Sequence, residues 1–161
     1  MTVRTLFLMR HAEAESYGGL GDRKRQLTAH GRREAADRAA AVAGVSHVLV
    51  SDATRTMQTV ACLGLDAAVE PSRALYGADA GTILDAIREV DDSVPGLLVV
   101  GHNPGIHGLV LRLADTTSEP SAVRLASHFP TATLCRFEVE GDWVDLVQAR
   151  LTDTYRTTLP A

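Results

Sequence analysis

Arg10-His11, Arg55 and His102 are the side chains of this sequence best placed to do chemistry, since each stands directly after, or within a few residues of, a short apolar run. Arginine presents a rigid fork of donors that matches phosphate oxygens and keeps its charge at every working pH. A neutral imidazole can attack phosphorus and hold a phosphoryl group covalently, which divides one hard displacement into two easier ones. A second imidazole can donate a hydrogen bond to the group in transit. His11 is thus a candidate nucleophile, with Arg10, Arg55 and His102 as candidate catalytic partners. Arg25 is a further candidate for binding substrate, or simply part of the solvated basic run Arg23-Lys24-Arg25. His30, His47, His107 and His128 read as structural. His102 and His107 are five apart, which does not put them on one helical face as a zinc pair would be, and Cys62 and Cys135 stand alone. No metal and no cofactor is expected.

The elements that must position these groups follow from the apolar pattern. Val3 to Met9 is a β-forming run, after which Thr28 can cap a helix reaching about Ala43. His47 to Val50 predicts a second strand, ending at Ser51-Asp52, and Ala53 to Leu63 a helix closed by Gly64. A weaker strand at Ala67 to Val69 leads to a helix over about Asp79 to Val90, with Ile83, Leu84 and Ile87 on one face. Leu97 to Val100 reads as a strand covered on both faces, Asn103-Pro104 as the N-cap and first residue of a helix ending near Ala114. Residues 115–130 predict a loop with a short helix around Ser121 to Ser127. Thr133 to Val139 and Trp143 to Ala149, on either side of Glu140-Gly141-Asp142, predict a hairpin. Strands alternating with helices give an α/β class: a mainly parallel sheet with helices on both faces and an antiparallel C-terminal edge. In such sheets ligands bind beyond the carboxyl ends of the strands, where Arg10-His11, Ser51 to Arg55 and Gly101 to Gly105 stand.

Composition narrows the classes further. At 161 residues, 45% hydrophobic and 22% charged, the chain is the size of a single domain spanning 1–161 and is neither disordered nor membrane-spanning. A net charge of −4 excludes a nucleic-acid binder working by bulk positive charge. Residues 1–33 nevertheless carry seven basic against three acidic side chains and can attract an anion or the acidic face of a partner. No export signal is visible at the start, and two distant cysteines fit a reducing cytoplasm.

Three segments taken together resemble the signatures of the histidine phosphatase superfamily, which has the phosphoglycerate mutase-like fold: Leu8-Met9-Arg10-His11-Ala12, Ser51-Asp52-Ala53-Thr54-Arg55-Thr56-Met57-Gln58-Thr59 and Val100-Gly101-His102-Asn103-Pro104-Gly105. Arg25-Gln26-Leu27-Thr28-Ala29-His30-Gly31 is similar to a further segment of its small phosphohistidine phosphatases of the SixA type, and the likeness runs from residue 3 to roughly 114. The resemblance implies His11 as nucleophile, Arg10 and Arg55 holding the phosphoryl group, His102 stabilising the transition state and Arg25 adding a phosphate contact. Ala12 stands where the superfamily usually has glycine. Many members place a glutamate general acid in the loop after the third strand. Leu75-Tyr76-Gly77-Ala78-Asp79 offers only Asp79 there, imperfectly positioned and better read as an exposed carboxylate at a helix start. Without that acid an N–P bond is the favoured target, because the imidazole of phosphohistidine leaves more readily than an alkoxide. The implied activity is a metal-independent phosphatase acting on phosphohistidine in a partner protein, as a monomer. The alternatives are a phosphatase of small phosphoesters and a non-catalytic module binding phosphorylated proteins, which would need neither His11 nor His102.

Overall fold

Alternation along the first strand decides the layers. β1 (Val3–Arg10) sends Leu6 and Leu8 to one face and Phe7 and Met9 to the other, and all four are buried, as a strand covered on both sides requires. The computed structural model, which describes residues 2–16, 19–114 and 125–156, repeats this division in β4 (Gly96–Gly101). There Leu97 and Val99 face one core, and Leu98 and Val100 the other.

The remaining elements alternate as the apolar pattern predicts: α1 (Ala29–Ala36), β2 (His47–Ser51), α2 (Thr54–Leu63), β3 (Ala68–Ser72), α3 (Ala80–Arg88) before β4, then α4 (Gly105–Leu113), β5 (Leu134–Glu140) and β6 (Arg150–Tyr155). The strands lie in the order β3-β2-β4-β1-β5-β6, the first four parallel, with β5 antiparallel to β1 and β6 antiparallel to β5. This is the expected α/β sheet with an antiparallel edge. Ala35 of α1 and Val60 and Leu63 of α2 pack with Phe7, Met9, Val48, Val50, Leu98 and Val100. Ile83, Leu84 and Ile87 of α3 and Ile106, Leu109 and Leu113 of α4 pack on the opposite face. Thr28 caps α1, its Oγ accepting from Gly31 N, and Gly64 closes α2 at φ 61°.

Four expectations are corrected. The first helix does not run to Ala43: it stops at Ala36 and resumes as a 3-10 turn over Ala39–Val42. The break lets Arg38 donate to the Ala132 carbonyl while Val42 and Val45 enter the core. β3 continues through Pro71, which an edge strand tolerates because no neighbour awaits its missing N–H. Trp143 to Ala149 is not a strand. The Trp143 ring is fully buried, with Nε1 donating to the Val94 carbonyl, so residues 143–145 form a 3-10 turn and the last strand begins at Arg150. Asn103 does not cap α4. Its Nδ2 donates to the Phe129 carbonyl, and Pro104, joined to it by a cis peptide, precedes the first helical residue, Gly105. Of the short helix expected around Ser121 to Ser127, residues 125–127 are helical and the rest lies outside the described residues.

Two glycines are required by close approach. A Cβ on Gly31 would stand 2.0 Å from the Glu13 carbonyl oxygen, and one on Gly105 2.1 Å from that of Ala78. The first lets α1 press against the loop leaving His11. The second seats α4 beneath the loop that carries Tyr76.

Candidate active site

β4 lies between β1 and β2, so the carboxyl ends of these three strands are neighbours, and they bring Arg10-His11, Ser51 and His102 together. Arg10 pairs with Gly101 in the ladder, and His11 N donates to the Gly101 carbonyl. The His11 and His102 rings meet edge to face, 5.4 Å apart. Both are more than 90% buried.

The first turn of α2 supplies Arg55 and also orders the segment after His11. Ala12 N donates to Thr59 Oγ1, itself donating to the Arg55 carbonyl. Ala12 thereby presents its own carbonyl to His11 Nδ1 at 2.7 Å. A carbonyl can only accept, so Nδ1 carries the hydrogen and the lone pair of the neutral ring is on Nε2. Arg55 Nε donates to that Nε2 at 3.4 Å. Burial pushes the His11 pKa down to about 3, against the upward pull of the Ala12 hydrogen bond and with help from His102, Arg55 and Arg10. Burial, then Arg55, lowers that of His102 to about 4. Both rings are neutral at pH 7.

Several donors at this edge have no partner among the described residues. His102 Nε2 pairs with the Ser51 hydroxyl at 2.8 Å, and its buried Nδ1 is unpaired. Arg10 Nη1 donates to the Phe129 carbonyl, which leaves Nε buried and unpaired; burial lowers its pKa while Glu34 pulls the other way. Arg25 stands nearer the rim, its Nε on Asp22 Oδ1 and its Nη1 on the Glu15 carbonyl. Arg10, His11, Arg55 and His102 therefore converge, and Arg25 is joined to them through Asp22, which also binds Arg55.

Asp79 is elsewhere occupied. Its Oδ1 caps α3 by accepting from Thr82 N, a hydrogen bond that lowers the carboxyl pKa, and the group is fully exposed. Of the other histidines, His30 lies beside Glu34, His47 beside Glu70, and His107 donates to the Leu125 carbonyl while stacking on Phe129; the His128 carbonyl accepts from Arg156. No group of three or more His, Cys, Asp or Glu side chains among the described residues is arranged to hold a metal ion, and no described helix is long and apolar enough to cross a membrane.

Sequence reasoning missed Ser51 as the partner of His102, and missed Asp22 and Tyr76 altogether. Asp22 has a faint signal, three residues before Arg25 in a loop otherwise basic. Tyr76 has none, since its hydroxyl reaches Asp22 across 54 residues of chain.

The two buried neutral imidazoles make stability depend on pH. Unfolded histidine titrates near 6.5, so below that value the unfolded chain takes up protons that the native site refuses. Stability is therefore complete above about pH 6.5 and falls as the pH drops toward 4. Urea midpoints measured from pH 7 to 4.5 are expected to decline, and to decline less steeply in a His11→Gln/His102→Gln double variant; an equal slope would contradict the burial of two neutral rings.

The fold and the two-histidine, arginine-lined strand edge define a class. The profile of the histidine phosphatase superfamily (branch 1) matches residues 6–83. An uncharacterized protein of Mycobacterium tuberculosis (strain H37Rv) is 39% identical over 144 residues, 86% of this chain and 91% of the relative. The chain belongs to the histidine phosphatase superfamily, and it is a phosphatase. Among solved structures, SixA from Nakamurella multipartitia is 32% identical with a TM-score of 0.88 over 99% of both chains. SixA from Agrobacterium tumefaciens is 25% identical with a TM-score of 0.80, over 96% of this chain and 98% of that one. Within the superfamily the chain is of the SixA type.

Proposed function

We propose that this phosphatase, a single-domain monomer of the cytoplasm, hydrolyses the N–P bond of phosphohistidine on a partner protein through a covalent phosphohistidine intermediate at His11. The observation that carries this reading is the His11 ring: Nδ1–H engaged by the Ala12 carbonyl, and the Nε2 lone pair beside Arg55 Nε. In the first step Nε2 bonds to phosphorus as the substrate N–P bond breaks. The electron pair passes to the leaving imidazole, which departs neutral once its other nitrogen holds a proton from solvent. Water then attacks phosphorus, the P–Nε2 bond breaks, phosphate leaves and the ring returns neutral. Because Nδ1 keeps its hydrogen, the phosphorylated ring is cationic, a good leaving group supported by the Ala12 carbonyl.

The unpaired Nε of Arg10 and Nδ1 of His102 support these groups, with Arg55, as donors to the phosphoryl oxygens. A Ser51 hydroxyl donating to His102 Nε2 leaves the ring hydrogen on Nδ1 for that purpose. Arg25 adds a contact at the rim. The N-termini of α2 and α4, whose N-cap residues Ala53 and Pro104 make no side-chain capping bond, lie at the same edge and add their positive dipole ends. Arginine supplies the positive charge, so the reaction needs no metal.

Substrate choice follows from the carboxylates. Asp79 is engaged as a cap, and Asp22 is held ionised by Tyr76, Arg55 and Arg25. Neither protonates a leaving group, which favours one that departs unaided. Turnover of a phosphohistidine protein and of phosphoesters with graded leaving-group pKa tests this. Phosphohistidine and activated aryl phosphates are expected to be cleaved, and alkyl phosphates ~10²–10⁴-fold more slowly. A flat dependence with a large loss in Asp79→Asn would instead assign a small-phosphoester phosphatase.

A further inference from the structure

The guanidinium of Arg55 has two edges able to grip an anion, and they are used differently. At its end, Nη1 donates to the Asp22 main-chain carbonyl at 2.8 Å and Nη2 to Asp22 Oδ2 at 3.1 Å. Its side, formed by Nε and the other Nη2 hydrogen, is turned to His11, with Nε 3.4 Å from Nε2. We propose that Asp22 is the positioning residue of this site: by taking the end of the Arg55 fork through backbone and side chain together, it leaves the Nε side directed at the phosphoryl group on His11.

Asp22 is itself over-determined, as a positioning residue must be. Oδ1 accepts from Arg25 Nε at 3.0 Å, and Oδ2 accepts from the Tyr76 hydroxyl at 2.5 Å. Tyr76 is wedged in turn, its ring 5.6 Å from that of His102 and under the Arg23 guanidinium at 4.3 Å, while Arg23 pairs with Asp52 at 2.5 Å. The residues 22–25 loop is thus tied to the loops after β2 and β3. An arginine side chain has four torsions to order, and without Asp22 the Arg55 fork has no second anchor at its end. Asp22 also places a negative charge against the group that must attract phosphate. It therefore orders the transition state while weakening ground-state anion binding, and removing it should move the two in opposite directions.

This inference rests on the reaction proposed above only for what is transferred, and its test is chosen accordingly. In Asp22→Ala, kcat on an activated aryl phosphate is expected to fall at least tenfold, while inorganic phosphate binds as tightly as in wild type or more so. Asp22→Asn, which keeps an acceptor oxygen, should recover part of kcat. The Arg55 Nε–H signal in 15N NMR is expected to be protected from exchange in wild type and to exchange rapidly in Asp22→Ala. The positioning role is overturned by a kcat within twofold of wild type, by phosphate affinity lost in parallel with kcat, or by an unaltered Nε–H signal. Should wild type turn over no phosphorylated substrate while Asp22→Ala still releases the Nε–H, the proposed function fails and the positioning of Arg55 stands.

Discussion

His11→Ala is expected to lose turnover by ~10⁴-fold or more, because removal of a covalent nucleophile leaves only binding and charge stabilisation. On the proposed mechanism this work falls to Nε2 of His11. The ring's other nitrogen is committed to the Ala12 carbonyl, and His102, although neutral and buried, has Nε2 on Ser51 and stands 5.4 Å away, ring centre to ring centre. Label from a phosphorylated substrate, quenched at alkaline pH where N-phosphohistidine survives, should be found on His11 in wild type and be absent from His11→Ala. Undiminished turnover in the variant, or label on another residue, would remove His11 as nucleophile. The substitution should leave the fold intact, since the backbone of residue 11 keeps its ladder bond to Gly101.

Arg55→Ala is expected to cost ~10²–10³-fold in kcat, the loss typical of removing one donor aimed at developing negative charge. Arg55→Lys should recover little. An ammonium is a point donor that cannot hold the Asp22 carbonyl and carboxylate at one end while offering a second edge to His11 Nε2. Single-turnover rates with saturating substrate, together with a thermal melt, separate lost chemistry from lost structure. A lysine variant restored to within threefold of wild type would show that charge alone matters at this position. Arg55 is buried among partners from the loop after β1, so a modest loss of stability should accompany both changes.

The layers were legible because burial on both faces leaves a mark in the sequence. The apolar runs Val3 to Met9 and Leu97 to Val100 read as strands, the second as one covered on both faces, and the groups next in the chain were then placed at one sheet edge. That placement found Arg10, His11, Arg55 and His102 before any geometry was known. Trp143 misled for a related reason. A large apolar residue among alternating neighbours looks the same whether it lies on a strand or plugs the end of a core, and only its bond to the Val94 carbonyl distinguishes the two. Asn103 and Pro104 carry the composition of a helix start, yet the Phe129 carbonyl, 26 residues on, claims the asparagine side chain. Asp22 and Tyr76 were invisible because their role is wholly tertiary: isolated polar residues in loops acquire meaning only when Arg55 is brought between them and His11.

The interposition of β4 between β1 and β2 makes the strand edge that gathers the site depend on one inserted strand. Without residues 96–101 in the gap, the end of β1 that carries His11 and the end of β2 that leads into α2 and Arg55 share no sheet edge, for neighbouring strands stand ~4.8 Å apart and these two are not neighbours. A chain in which this strand has not docked lacks the common sheet edge on which His11, Arg55 and His102 meet. The strand that brings His102 is also the one that bridges β1 and β2, so on the proposed mechanism the site is complete only once residues far apart in the chain, Leu6 with Leu97 and Val48 with Leu98, have paired.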